Sequence, residues 1–134
     1  MTKELPAQAR ELLDGTNVAV LATVTPDGSP QTSPIWVGRD GDDILISSTA
    51  GLRKVRNLES DPRASLVVVD STDPLRYAEI RGTAIVTEDA DRVVAQALAT
   101  KYAGPEAAAE YADLPPEVQR VVVRITPDRV ITRG

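Results

Sequence analysis

The sequence predicts a mainly β protein, a six- to seven-stranded antiparallel barrel with flanking helices, built as one domain over residues 1–134. Three observations predict it. Short runs rich in Val, Ile and Thr recur through the chain, as buried or half-buried strands require. Clusters of Pro, Gly, Asp and Ser separate these runs, so most connections are tight turns. Helical spacing is confined to a few stretches, and no repeat, low-complexity linker or composition shift divides the chain.

Taken in order, Glu4 to Leu13 places Leu5, Ala9, Leu12 and Leu13 at helical spacing, with Gly15 positioned to end the helix. "NVAVLATVT" (17–25) is almost wholly apolar and reads as a strand buried on both faces. "PDGSP" turns the chain and "QTSPIWV" (31–37) returns as the second strand of a hairpin. "GRDGDD" (38–43) reads as the next turn, and "ILISST" (44–49) as a third strand in the same antiparallel run. The acidic turn lacks the spacing and distal Glu of a calcium loop, so no metal site is expected.

A helix over 52–60 stops at "SDP", and "RASLVVVD" (63–70) is another apolar strand. After the turn "STDPL", "RYAEIRGTAIVTE" (76–88) alternates as a strand, with Gly82 as a bulge or a point of close approach. Residues 89–104 form a helix ended by Gly104 and Pro105, a second helical stretch covers 105–112, and "QRVVVRITP" and "DRVITRG" are two final strands.

Composition excludes several function classes. A net charge of −5 without an extended basic run opposes nucleic-acid binding, which depends on phosphate neutralisation. There is no long apolar stretch for a membrane span, and "MTKELPAQARELLDG" reads as a polar helix, not a signal peptide, so a cytoplasmic location is expected. With no Cys and no His there is no thiolate nucleophile, no Ser-His-Asp triad and no usual zinc or haem ligand. If the chain is an enzyme, a bound cofactor does its chemistry.

Two segments carry candidate function. "SSTAGLRKVRNL" (47–58) runs from a strand end into a helix whose first turn holds Arg53, Lys54 and Arg56. A helix N-terminus already presents unpaired amides and the positive end of the dipole, so cations there are mildly destabilising. One reading has Ser47, Ser48, Thr49, the amides and the cations converging on a phosphate, with Ala50-Gly51 letting backbone approach it. The other has Ser48 or Thr49 as an N-cap and the cations as solvated surface, Arg56 pairing with Glu59 or Ser60. In "QTSPIW", Ser33 and Pro34 fall inside a strand, where Pro removes a ladder hydrogen bond. Either the freed backbone faces a planar ring, or Pro34 marks an edge strand with Trp36 as a core aromatic.

The order of hairpin, strand, Thr-x-x-x-x-Lys-x-x-Asn-Leu-x-x-Asp-Pro, strand and Arg-Gly resembles the pyridoxamine 5′-phosphate oxidase-like superfamily with its flavin-binding split barrel. The likeness spans roughly residues 10 to 133. It is closest to the short flavin/deazaflavin oxidoreductases regarded as F420-dependent. The resemblance implies a homodimer with two cofactor clefts at the subunit interface. It implies that Lys54 meets the cofactor phosphate beside Arg53, Ser48 and Thr49, and that Ser33, Pro34 and Ile35 lie along the ring. Arg56 serves the phosphate or an acidic tail, whereas Asn57 and Leu58 look structural.

The chain departs from the parent oxidases in lacking a C-terminal extension with Arg and His, which opposes vitamin B6 oxidation; the lack of His likewise weakens a haem-degrading reading. The resemblance then implies hydride transfer from F420 to an activated double bond of a quinone, enone or tetrapyrrole-like acceptor. An FMN-dependent oxidoreductase and a non-catalytic F420 or FMN binder are the alternatives. No catalytic acid is legible; Tyr77 is a phenol donor in principle and a packing residue otherwise. Arg76 and Arg81 join Arg53 and Arg56 as candidates for a cationic path along the F420 tail.

Overall fold

A computed structural model describes residues 4–134, and the first helix starts at Ala7, later than the expected Glu4. Seven strands form one wholly antiparallel sheet: β1 (Ala19–Val24), β2 (Pro30–Ile35), β3 (Gly38–Asp40), β4 (Asp43–Thr49), β5 (Arg63–Asp70), β6 (Asp73–Glu88) and β7 (Arg120–Arg133). Four α-helices flank it: α1 (Ala7–Asp14), α2 (Arg53–Ser60), α3 (Val93–Ala103) and α4 (Pro105–Ala112). A short 3₁₀ turn, Ala90–Arg92, precedes α3. No helix among the described residues is long and apolar enough to cross a membrane.

The strand order β2-β1-β5-β6-β7-β4-β3 puts β2 and β3 at opposite edges, yet only Trp36 and Val37 separate them in the chain. Laid flat, seven strands would hold those edges about 29 Å apart, whereas Ile35 and Gly38 can be at most about 11 Å apart. The sheet must therefore roll into a barrel. Because β2 does not pair with β3 or β4, the barrel stays split along that seam.

This order corrects the expected meander. The strand over 44–49 pairs with β3 and β7, not with the 31–37 strand, and Gly38–Asp40 is itself a strand within the expected turn. Arg124 bonds Asp40 and Asp43 at 3.1 Å each, and Asp42 accepts from the Leu5 amide at 3.1 Å. No metal-binding cluster occurs among the described residues.

The two final strands are one. Arg81 pairs with Arg129 and Gly82 with Pro127, leaving Asp128 as the extra residue of a bulge, where the missing amide of a proline breaks no ladder bond. Gly82 is the close-approach point expected: a Cβ there would meet the Thr126 carbonyl oxygen at 2.2 Å. The β6 strand also starts earlier than expected, at Asp73.

Alternate residues of the strands fill the barrel, including Leu21, Ile46, Leu66, Ile80 and Ile125; α1 adds Leu12 and Leu13, and Leu5 joins them from just before the helix. The core is aliphatic, since the chain has no Phe. β1 is not buried on both faces: Val18, just before it, and Val20 are 55% and 37% exposed, so its outer side is open in a single chain.

Candidate functional site: a cleft at the open seam

The seam leaves a cleft of about 410 Å³. Pro34, Ile35 and Trp36 line it from the β2 side, Ser47 and Ser48 from β4, Lys54 from α2 and Arg120 from the start of β7. Val18 and Leu52 form an apolar rim, and Tyr111 closes it from α4. Of the expected site residues, the fold thus brings Pro34, Ile35, Ser48 and Lys54 into one space. Pro34 lies on an edge strand, as one reading expected, and lines the cleft, but Trp36 is not the core aromatic of that reading: it is half-buried on the cleft wall.

Helix α2 begins without a side-chain cap. Its N-cap is Leu52, not Ser48 or Thr49, and the amides of Arg53, Lys54 and Val55 find no acceptor among the described residues. Nor do Arg53, Lys54 or Arg56 form ion pairs or side-chain hydrogen bonds among the described residues, so Arg56 does not pair with Glu59 or Ser60. The helix is held instead by its far side. Asn57, 1% exposed, donates from Nδ2 to Thr23 Oγ1 at 3.0 Å and to Gln31 Oε1 at 3.1 Å, and Leu58 enters the core. Both act as the structural residues expected, aiming the helix start at the seam.

Lys54 is half-buried, and burial, then the charge of Arg120, pulls its ammonium below the ordinary value of 10.5. Burial likewise lowers Arg120. Arg120 donates from Nη1 to Thr49 Oγ1 at 2.8 Å and from Nη2 to Ser47 Oγ at 2.7 Å, and its guanidinium stands 5.0 Å from the Tyr111 ring centre. Its Nε and the Ser48 hydroxyl are buried without partners. Buried donors with nothing to donate to are costly. Two uncompensated cations, a free helix N-terminus and orphaned donors together fit an anionic ligand group such as a phosphate.

The remaining expected residues lie off the cleft wall. Thr49 acts through Arg120, Ser33 sits opposite Leu21 in the β1–β2 ladder, and Arg53 and Arg56 are exposed on α2. Arg76 is engaged by Asp70 and Glu11, and Arg81 by Glu79. Neither lines the cleft. Tyr77 is a ladder residue opposite Val69 and Arg133, away from the cleft.

Sequence reasoning missed Arg120 and Tyr111. The signal for Arg120 was an arginine heading the apolar run "VVV" of the last strand. The signal for Tyr111 was scarcity: with aromatics at 3% of the chain, the sole Trp stacks on Tyr102 at 5.4 Å and meets Tyr111 edge-on at 6.5 Å. Trp36, Tyr102 and Tyr111 are gathered at the seam and not spent in the core; Tyr77 is the exception.

Solved structures share this fold. An F420 reductase is 31% identical, with 95% of this chain and 98% of that one covered and a TM-score of 0.80. The conserved hypothetical protein Rv2991 from Mycobacterium tuberculosis is 25% identical, with 99% and 86% covered and a TM-score of 0.81. HutZ, the heme storage protein from Vibrio cholerae, is 19% identical over 98% and 96%, with a TM-score of 0.73, a likeness of fold alone. The family model for pyridoxamine 5′-phosphate oxidase matches residues 5–134. With its split antiparallel barrel, its seam cleft and that match over nearly the whole chain, the protein belongs to the pyridoxamine 5′-phosphate oxidase family.

Proposed function

We propose that the chain binds the deazaflavin coenzyme F420 in the seam cleft and reduces an activated double bond of a small organic acceptor: a quinone, an enone or a tetrapyrrole-like compound. The observation that carries this reading is the convergence of Lys54, Ser48, Arg120 and the uncapped start of α2 at one cleft, beside walls of Pro34, Ile35, Trp36 and Tyr111. Lys54, Ser48 and the α2 amides would hold the phosphate; Pro34, Ile35 and the backbone from Ser33 would lie along the ring. Arg53 and Arg56, exposed and unpaired on the same helix, give an acidic tail a cationic path that FMN, with its single phosphate, does not need. The 31% identity to an F420 reductase supports the same choice.

Bound F420 supplies two-electron hydride chemistry, and the protein supplies orientation and electrostatics. Anion binding neutralises two cations that burial makes costly when alone. Among the described residues no carboxylate lines the cleft, so the proton that completes reduction comes from water or from another donor, the Lys54 ammonium and the Tyr111 phenol being the protic side chains on the wall beside the serines and Arg120. The apolar rim of Val18 and Leu52, continued by Val20, offers a second copy of the chain a surface from which to complete the cleft as a homodimer.

The test is turnover. Reduced F420 is mixed with the protein and with menadione or cyclohexenone, and cofactor oxidation is followed by its absorbance. Protein-dependent oxidation with either acceptor supports a reductase. Tight F420 binding without oxidation by any acceptor of these classes would make the chain a carrier of the cofactor.

A further inference from the structure

Asp91 and Arg92 both adopt left-handed backbone, at φ of 60° and 58°. Two successive residues with side chains in that region carry a conformational cost that the surroundings must offset. The offset is visible at Arg92. Its guanidinium donates from Nη1 to the carbonyls of Tyr111, Ala112 and Leu114 at 3.4, 3.2 and 2.5 Å. From Nη2 it donates to those of Pro115 and Val118 at 2.6 and 3.1 Å. One cation thereby gathers the last carbonyls of α4 and the loop beyond it, at the negative end of the helix dipole.

Helix α4 has no anchor in the core: it packs on the neighbouring α3, and Tyr111 reaches Trp36 and Arg120. None of its residues is buried. The chain passes from α3 to α4 at Gly104, at φ 91° and ψ 172°, a conformation natural only to glycine. The loop after it borders a hollow of about 780 Å³ that Arg92 and Arg120 also line. The base of the clamp, by contrast, is firm. The Asp89 amide bonds the Arg120 carbonyl at 2.9 Å, and its carboxylate accepts from the amides of Val94 and Ala95 at 3.2 and 2.9 Å.

We infer that Arg92 is a positioning residue, a latch that holds α4 as a movable wall of the seam cleft, hinged at Gly104. The latched helix presents Tyr111 to Trp36 and Arg120; release withdraws Tyr111 and widens the cleft. Arg92 thereby sets the size of acceptor admitted. That last consequence rests on the proposed function, whereas the latch is a property of the protein without any ligand.

The experiment compares wild type, Arg92→Lys and Arg92→Ala by native-state hydrogen exchange and by acrylamide quenching of Trp36, the only tryptophan. Losing the charge-assisted bonds should speed exchange of amides 105–118 by roughly ten- to a hundredfold in Arg92→Ala. The β4–β7 ladder should stay protected, Trp36 should become more quenchable, and Arg92→Lys should lie between. Unchanged exchange over 105–118 would overturn the latch. So would an equal rise across every strand, because Arg92 would then support the whole fold and not one wall. With reduced F420, the alanine variant should lower KM for a bulky quinone relative to menadione while kcat changes little. If the exchange result holds but F420 does not bind, the cofactor assignment has failed and the latch has not.

Discussion

Replacing Lys54 with Met should push stability and cofactor affinity in opposite directions. Lys54 sits in the first turn of α2, half-buried, without a partner and within the field of Arg120. Methionine keeps the packing of the stem and removes the charge. A cation at a helix N-terminus costs about 0.3–1 kcal/mol, so the variant without ligand should melt about 1–4 °C higher. In the complex the same change deletes a charge-assisted contact worth about 1.5–3 kcal/mol, which weakens F420 binding roughly 10- to 150-fold. The pH dependence has a definite sign. The ammonium is pulled below 10.5, so its penalty in the folded state is present at neutral pH and fades as pH rises through its lowered value toward 10.5. The stability gap between variant and wild type should close over that range. Scanning calorimetry of both proteins from neutral pH upward, with fluorescence titration at neutral pH, checks all three. A variant that is less stable than wild type, or that binds F420 as tightly, would refute the reasoning.

Three further outcomes follow from the fold. Gly82→Ala forces a Cβ onto the Thr126 carbonyl at the β6–β7 bulge; it should destabilise by about 1–3 kcal/mol or more, read by urea denaturation. Asn57→Ala removes the bonds to Thr23 and Gln31 that aim α2; it should cost about 1–3 kcal/mol and weaken F420 binding although Asn57 does not line the cleft. Asp70 is held at about 2 by the Thr72 amide and hydroxyl and then by Arg76. Its contribution is present above the ordinary value of 3.8 and lost as pH falls through about 2, so the stability difference between wild type and Asp70→Asn should vanish across that window in acid denaturation.

Local features of the fold were legible because local chemistry sets them. The "PDGSP" turn forms with Gly28 at φ 88°, Gly104 ends α3, and Gly82 marks the close approach, each at a residue that only glycine suits. What was not legible is non-local. The pairing of β4 with β7 joins Thr49 to Arg120, and the hydrogen bond between their side chains spans 71 positions of chain. That separation is why Arg120 escaped notice. Pro127 suggested a strand break, but a bulge accommodates it. The apolar run 17–25 could not disclose whether its outer side is covered by its own chain, and here Val18 and Val20 are left open. At the cleft, residue types were legible in "SSTAGLRKVRNL" and "QTSPIW". Their capping was not, because Leu52 takes the cap position in place of the hydroxyl residues beside it.

The central claim is that the uncompensated cations and orphaned donors of the seam cleft exist to hold F420. Titrating the purified protein with F420 and, at the same salt, with FMN tests it most directly. The account predicts micromolar or tighter binding of F420, weaker binding of FMN, and loss of F420 affinity in Lys54→Met. A preference for FMN would contradict the choice of cofactor, and binding of neither would leave Lys54, Arg120 and the bare start of α2 without the ligand proposed for them.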